Sequence, residues 1–233
     1  MNRMRYSTLL FDADETLFDF RRSESLALRE VFRRHALPES GAFVDAYRRI
    51  NDALWDRFNR GEIEKSEITD TRFVRLFAQF GVPLDGVDFN RRYLDTLAGF
   101  GCLLPGALEL CRDLHGAGYA LYIITNGVGQ VQKRRFRESG LAPYFSDLFI
   151  SEEIGAGKPN PAFFDHVLRH IPEPDARRIL VVGDSPDADV AGGRAAGLDT
   201  CWCDFGRTNT PCGATYTVQD YQELYRLLTE ATI

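Results

Sequence analysis

From Leu104 onward, strand-length apolar runs alternate with helix-length amphipathic ones, and this alternation limits the fold more than any other feature of the chain. The apolar runs fall at 119–124, 148–150, 178–182, 200–203 and 215–218. Between and after them lie helical stretches at about 107–116, 128–139, 162–170, 187–196 and 219–230. Strands separated by helices pair in parallel, because only a crossover of helix length brings the chain back to the same end of a sheet. Right-handed crossovers then place the C-terminal strand ends, and the loops that follow them, along one edge. An earlier apolar run, 8–11, supplies one more buried strand and ends at Asp12. The expected class is α/β, a Rossmann-like parallel sheet with helices on both faces.

Residues 21–98 depart from that pattern. Phe43, Tyr47, Ile50, Leu54 and Phe58 recur at helical spacing, as do Phe73, Leu76, Phe77 and Phe80. Turn signals at Leu37-Pro38, 59–61, 81–83 and 85–86 divide the region into about four helices. The simplest organisation is a core of residues 1–17 and 99–233 interrupted by a helical insert over 18–98. The aromatic stripes read as the insert's own core, so candidates for ligand contact there lie off them.

Four stretches at the expected edge carry groups suited to chemistry. Asp12 and Asp14 follow the first strand, with the Thr16 hydroxyl close behind. A D-x-D alone is an ordinary strand-ending turn; with oxygen ligands supplied elsewhere it also suits a magnesium ion, a nucleophilic carboxylate and an acid/base. Thr125-Asn126-Gly127 ends the next run and offers a hydroxyl and backbone N–H groups to phosphoryl oxygens. Lys158 lies in Gly155-Ala-Gly-Lys-Pro159, where Pro159 in place of Ser or Thr rules out a Walker A loop. Asp184 ends a buried run, Asp189 lies about a turn further on, and Asp187 reads as a helix-start residue. Carboxylates ending two parallel strands, with a lysine beside them, are more than helix caps.

In this order and spacing, the four stretches resemble the haloacid dehalogenase (HAD) superfamily over the whole chain, with the insert resembling the family's cap domain. The resemblance implies that Asp12 is a nucleophile forming an aspartyl-phosphate and that Asp14 is the acid/base, its backbone carbonyl facing the metal. It implies further that Thr125 and the Asn126 N–H hold phosphoryl oxygens and that Lys158 neutralises charge. Asp184 becomes a Mg²⁺ ligand, and Asp189 either a ligand, direct or through water, or the partner of Lys158. An acid/base carboxylate at Asp14 favours phosphate esters over carbon–halogen bonds. Glu15 stands where the commonest family pattern has glycine, and the D-x-D-E-T-L form resembles one subgroup, the pyrimidine 5′-nucleotidases that act on UMP, dUMP and dTMP. That likeness also rests on Leu54-Trp55 with 59–61, on 150–154, and on Thr200-Cys-Trp202. Trp55 and Phe18 then either stack on a base or pack inside the insert.

The remaining composition narrows the alternatives. The formal net charge of −6, with no basic tract, argues against a nucleic-acid polymer as partner and leaves a small phosphate monoester open. No signal-peptide core or membrane-length apolar run is found, so a cytoplasmic protein with no membrane contact is expected. The five cysteines form no C-x-x-C, and Cys201 and Cys203 read as thiols on one strand face. His166 and His170 read as helix-surface imidazoles rather than a metal pair. Two rivals to a nucleotidase remain: a phosphatase for another ester such as phosphoglycolate or a sugar phosphate, and a non-catalytic binding protein on the same fold.

Overall fold

A computed structural model describes residues 5–230. The chain forms two compact units, one of Met1–Phe20 with Gly101–Ile233 and the other of Arg21–Phe100. Four helices make up the second: α1 (Phe20–Arg34, entering from the first unit), α2 (Ala42–Asn59), α3 (Lys65–Phe80) and α4 (Gly86–Ala98). Their stripes meet as the periodicity requires. Tyr47 stacks on Phe73 at 5.0 Å between ring centres, and Phe73 meets Phe89 at 4.8 Å. Each such pair contributes about 0.5–1.5 kcal/mol beyond its buried area. Phe80, at the end of the second stripe, is 40% exposed. Gly81 ends α3 in the left-handed conformation, and the Asp85 carboxylate caps α4 by accepting from the Val87 and Asp88 N–H groups.

The first unit is built on six parallel strands in the order β3-β2-β1-β4-β5-β6. They are β1 (Thr8–Asp12), β2 (Ala120–Thr125), β3 (Asp147–Ile150), β4 (Ile179–Gly183), β5 (Asp199–Cys203) and β6 (Tyr216–Val218). Helices α5 (Ala107–Gly116), α6 (Gly129–Glu138), α7 (Ser151–Ile154), α8 (Pro161–His170), α9 (Ala191–Ala195) and α10 (Tyr221–Glu230) link or follow them. The strands read as continuous apolar runs because both faces are covered, yet the residues still sort by alternation. Leu9, Phe11, Leu121, Ile123, Leu180 and Val182 pack with Leu110 and Leu114 of α5 and with Leu224 and Leu228 of α10. Leu10, Ile124, Ile179 and Val181 pack on the other face with Phe163, Phe164 and Val167 of α8. Cys201 and Cys203 are buried together, and His166 and His170 stack at 4.0 Å on α8. Among the described residues no helix is long and apolar enough to cross a membrane.

One stretch differs from its sequence pattern. Residues 187–196 were expected as one helix, but Pro186–Val190 forms a wide π-type turn, and regular helix begins only at Ala191. The Val190 N–H reaches back to the Ser185 carbonyl at 3.2 Å, and Ser185, not Asp187, caps the turn through its hydroxyl. The extra residue in the turn changes where Asp189 points.

Candidate active site

β1 lies between β2 and β4, so the connections leaving its two neighbours diverge to opposite sides and open a crevice at its C-terminal end. Register brings the chemistry level. Asp12 pairs with Ile124, just before Thr125, and Phe11 pairs with Val182, just before Gly183 and Asp184. The loop after Asp12 turns tightly, with the Leu17 and Phe18 N–H groups both donating to the Ala13 carbonyl. Glu15 takes a φ of 59° in that loop. This left-handed conformation is the one glycine adopts without cost, which accounts for glycine being the commoner residue there in the resembling family.

Lys158 is the electrostatic centre. Its Nζ donates to Asp12 Oδ1 at 2.6 Å, to Asp189 Oδ1 at 2.6 Å and to the Ile124 carbonyl at 2.9 Å, which uses all three N–H donors. The side chain is buried, and burial alone pulls an ammonium down, but attraction by Asp12 and Asp189 more than reverses this and holds Lys158 above its ordinary value. Asn126 fixes the loop that delivers it. The Asn126 side-chain amide donates to the Lys158 carbonyl and accepts from the Lys158 N–H, both at 2.8 Å.

Asp189 sends its second oxygen to the Ser185 N–H at 3.0 Å, so both of its oxygens are engaged. Asp12, Asp184 and Asp189 offer oxygens that all lie within 4.8 Å of one another. Burial, then mutual repulsion with Asp12 and Asp189, raises Asp184 well above the usual carboxylate range; burial and Asp189 do the same to Asp12 despite Lys158. One lysine does not balance this acidic cluster, and an all-oxygen donor set with excess negative charge fits a hard divalent cation such as magnesium. Gly183 makes room for the Asp189 side chain. A Cβ there would stand 2.2 Å from Asp189 Oδ2. Gly183→Ala is therefore expected to swing Asp189 off Lys158 and to lower kcat by about tenfold or more at a cost of about 1–3 kcal/mol in stability. Steady-state rates and thermal melts equal to those of the parent would remove Asp189 from the working site.

The other expected residues are placed as follows. The Thr125 hydroxyl oxygen accepts from the Gly127 N–H at 3.0 Å, which leaves its own proton to donate elsewhere. Both Asp14 oxygens are held from α6, Oδ1 by Arg135 Nη1 at 2.6 Å and Oδ2 by Gln132 Nε2 at 2.5 Å. Phe18 does not serve as an open stacking surface. It is 1% exposed within the sheet unit, and the Arg135 guanidinium lies 4.5 Å from its ring centre. Trp55 packs in the helical unit beside Leu54, Ile63 and Ile68, with its edge on Phe58 at 5.6 Å.

Gln132 and Arg135 carried no signal strong enough to find from the sequence, and Trp202 was marked only as part of Thr200-Cys-Trp202, with no role at the site. The indole N–H of Trp202 donates to the Asp184 carbonyl at 2.9 Å, and Trp202 is the register partner of Gly183. That contact follows from the pairing of β5 with β4, which the sequence does not show.

Known proteins resemble this chain over most of its length. The sequence model described as haloacid dehalogenase-like hydrolase matches residues 6–197. HAD-hydrolase YfnB of Bacillus subtilis is 40% identical over 226 residues, covering 96% of each chain. A crystal structure of that protein bound to magnesium superposes with a TM-score of 0.89 at 39% identity, covering 96% of this chain and 99% of the other. Pyrimidine 5′-nucleotidase PynA of Streptococcus pneumoniae is 39% identical over 95% of this chain and 94% of its own. Pyrimidine 5′-nucleotidase YjjG of Escherichia coli is 34% identical over 97% of this chain and 99% of its own.

Proposed function

The chain belongs to the haloacid dehalogenase-like hydrolase family, and from that premise we propose that it is a magnesium-dependent phosphatase acting on a pyrimidine nucleoside 5′-monophosphate such as UMP, dUMP or dTMP. The observation that carries the reaction class is the buried Lys158 bridge between Asp12 and Asp189, with a second, separately held carboxylate at Asp14. The choice of a pyrimidine nucleotide is supported by two relatives that bear that activity in their names and align over nearly the whole chain.

In this reading Lys158 occupies Oδ1 of Asp12 and leaves Oδ2 as the attacking atom. As Oδ2 bonds to phosphorus, the bond from phosphorus to the ester oxygen breaks, and Asp14 gives that oxygen its proton. Water then attacks the aspartyl-phosphate while Asp14 takes a proton from it, so that phosphate leaves and the Asp12 carboxylate is restored. The Thr125 hydroxyl and Asn126 N–H hold phosphoryl oxygens, and Lys158 offsets the charge that builds between nucleophile and phosphoryl group. Asp12 and Asp184 would hold magnesium directly, with the Asp14 carbonyl facing it. Asp189, engaged by Lys158 and Ser185, orients the lysine. When bound, the ion supplies positive charge against the phosphoryl oxygens.

Phosphate release from UMP, dUMP, dTMP, CMP, AMP, GMP, phosphoglycolate and glucose 6-phosphate, with Mg²⁺ and with EDTA, tests the proposal. Release that needs the metal and favours uracil and thymine nucleotides is expected. Preference for phosphoglycolate or the sugar phosphate would discard the nucleotide, and no release from any ester would discard the phosphatase. Asp14→Asn is expected to lower turnover of the preferred ester by about 10²–10⁴, the usual range for a lost acid/base group. An unaltered rate in that variant would take Asp14 out of the role.

A further inference from the structure

Arg135 is an uneconomical residue for a core. It is 0% exposed, and its Nε and Nη2 have no hydrogen-bond partner among the described residues. Burying a guanidinium costs several kcal/mol unless its charge and donors are answered. The answers it receives are the Asp14 carboxylate at 2.6 Å and the ring of Phe18, which it faces at 4.5 Å. An unbranched apolar side chain would lie against the Phe18 and Phe20 rings without that cost.

Gln132 tells the same story one helical turn earlier. At i and i+3 on α6, Gln132 and Arg135 share a helix face, and each takes one oxygen of the same carboxylate. To reach Asp14, the Gln132 amide crosses directly over Gly127. A Cβ at that glycine would lie 2.0 Å from Gln132 Nε2. The glycine of the Thr125-Asn126-Gly127 turn thus clears the path from α6 to the loop after β1. With both oxygens tied from one rigid helix, the Asp14 carboxylate can neither rotate about its own axis nor change rotamer without losing two bonds.

We propose that Gln132 and Arg135 are positioning residues for Asp14, which fix the plane of its carboxylate for proton transfer to the leaving oxygen and from the attacking water. Neither group competes for the proton: a guanidinium does not deprotonate in a protein, and a carboxamide does not titrate. A misplacement of about 1 Å in the acid/base costs about 10² in rate.

The inference rests on the phosphatase reading, and the test separates the two. The measured quantity is kcat/KM with Mg²⁺ for UMP, or for the alkyl phosphate of the panel that turns over fastest, and for p-nitrophenyl phosphate. It is measured in the parent, Gln132→Met, Arg135→Met and each of these combined with Asp14→Asn. An alkoxide leaves only with a proton, whereas p-nitrophenolate leaves without one. Loss of positioning therefore lowers kcat/KM for the alkyl ester by about 10- to 100-fold and that for p-nitrophenyl phosphate by no more than about threefold. On the Asp14→Asn background, a further Gln132→Met change alters the residual rate by no more than about twofold, because the group it positions is already gone. Equal losses on both esters, or an added loss on the Asp14→Asn background, would overturn the proposal in favour of a packing role. Gln132→Met carries the test if Arg135→Met does not fold. A parent that cleaves neither ester refutes the phosphatase reading itself and this inference with it.

Discussion

Asp12→Asn is expected to abolish turnover of every ester while the protein stays folded. The amide has no anionic oxygen to attack phosphorus, and loss of a nucleophile costs about 10⁴ or more in kcat, some 5–6 kcal/mol of barrier. Stability should move the other way in metal-free protein. Burial, with Asp189 and Asp14 adding repulsion, holds Asp12 above the usual carboxylate range even though Lys158 opposes the shift. A carboxyl raised on folding has its charged form penalised in the native state. The penalty is absent below about pH 4, where the group is protonated in both states, and it grows as pH rises from there through the raised value. Asparagine removes it. Without metal, the Asp12→Asn melting temperature at mildly alkaline pH should equal or exceed the parent's, with the difference vanishing near pH 4. A phosphatase rate equal to the parent's would end the nucleophile assignment, and a variant that melts far below the parent at alkaline pH would end the electrostatic account.

Lys158→Met has the opposite signature, a loss of both activity and stability. Removing the ammonium leaves Asp12 and Asp189 buried, each deprived of its 2.6 Å partner, and leaves the Ile124 carbonyl unanswered. Breaking one side of a buried ion pair costs about 3–5 kcal/mol, because the remaining charge is stranded. Chemical denaturation would show the loss directly. Adding Asp12→Asn to Lys158→Met should recover part of that stability, since one stranded charge is then gone, while activity stays absent. A double variant no more stable than Lys158→Met alone would mean that the lysine acts through packing rather than charge.

Much of this was legible in the sequence because burial leaves a coarse mark. A strand covered on both faces must be apolar along its whole length, so Asp12 after Thr8–Phe11 and Asp184 after Ile179–Gly183 stand out as polar residues at the ends of apolar runs. Lys158 had no such frame, and only its place in the ordered set drew notice. Gln132 and Arg135 were illegible for a physical reason. The segment 129–138 has only Val131 and Phe136 as large apolar residues, too few to mark a buried face clearly enough to set Arg135, wholly buried, apart from Arg134 and Arg137, both well exposed. Its burial is decided by a partner 121 positions away. Asp189 shows a finer failure. Its residue type and rough position were readable, but a π-type turn holds one residue more than an α-turn, and helical spacing cannot foresee that insertion.

The chain leaves the sheet unit and comes back to it through a single hydrogen-bonded ribbon. Phe18 and Leu103 form an antiparallel bridge, the Asp19 N–H donates to the Cys102 carbonyl at 3.0 Å, and the Leu104 N–H donates to the Leu17 carbonyl at 2.9 Å. The whole excursion Arg21–Phe100 therefore begins and ends at neighbouring points, like a parenthesis in a sentence. Loop closure is already achieved by the ribbon, so the length and content of what it encloses weigh little on the rest; each doubling of a flexible loop adds only about 0.6 kcal/mol. Evolution can rewrite the parenthesis without disturbing the clause around it. A laboratory can do the same by splicing a foreign helical segment between Phe20 and Gly101, while Asp12, Lys158 and Asp184 stay as they are.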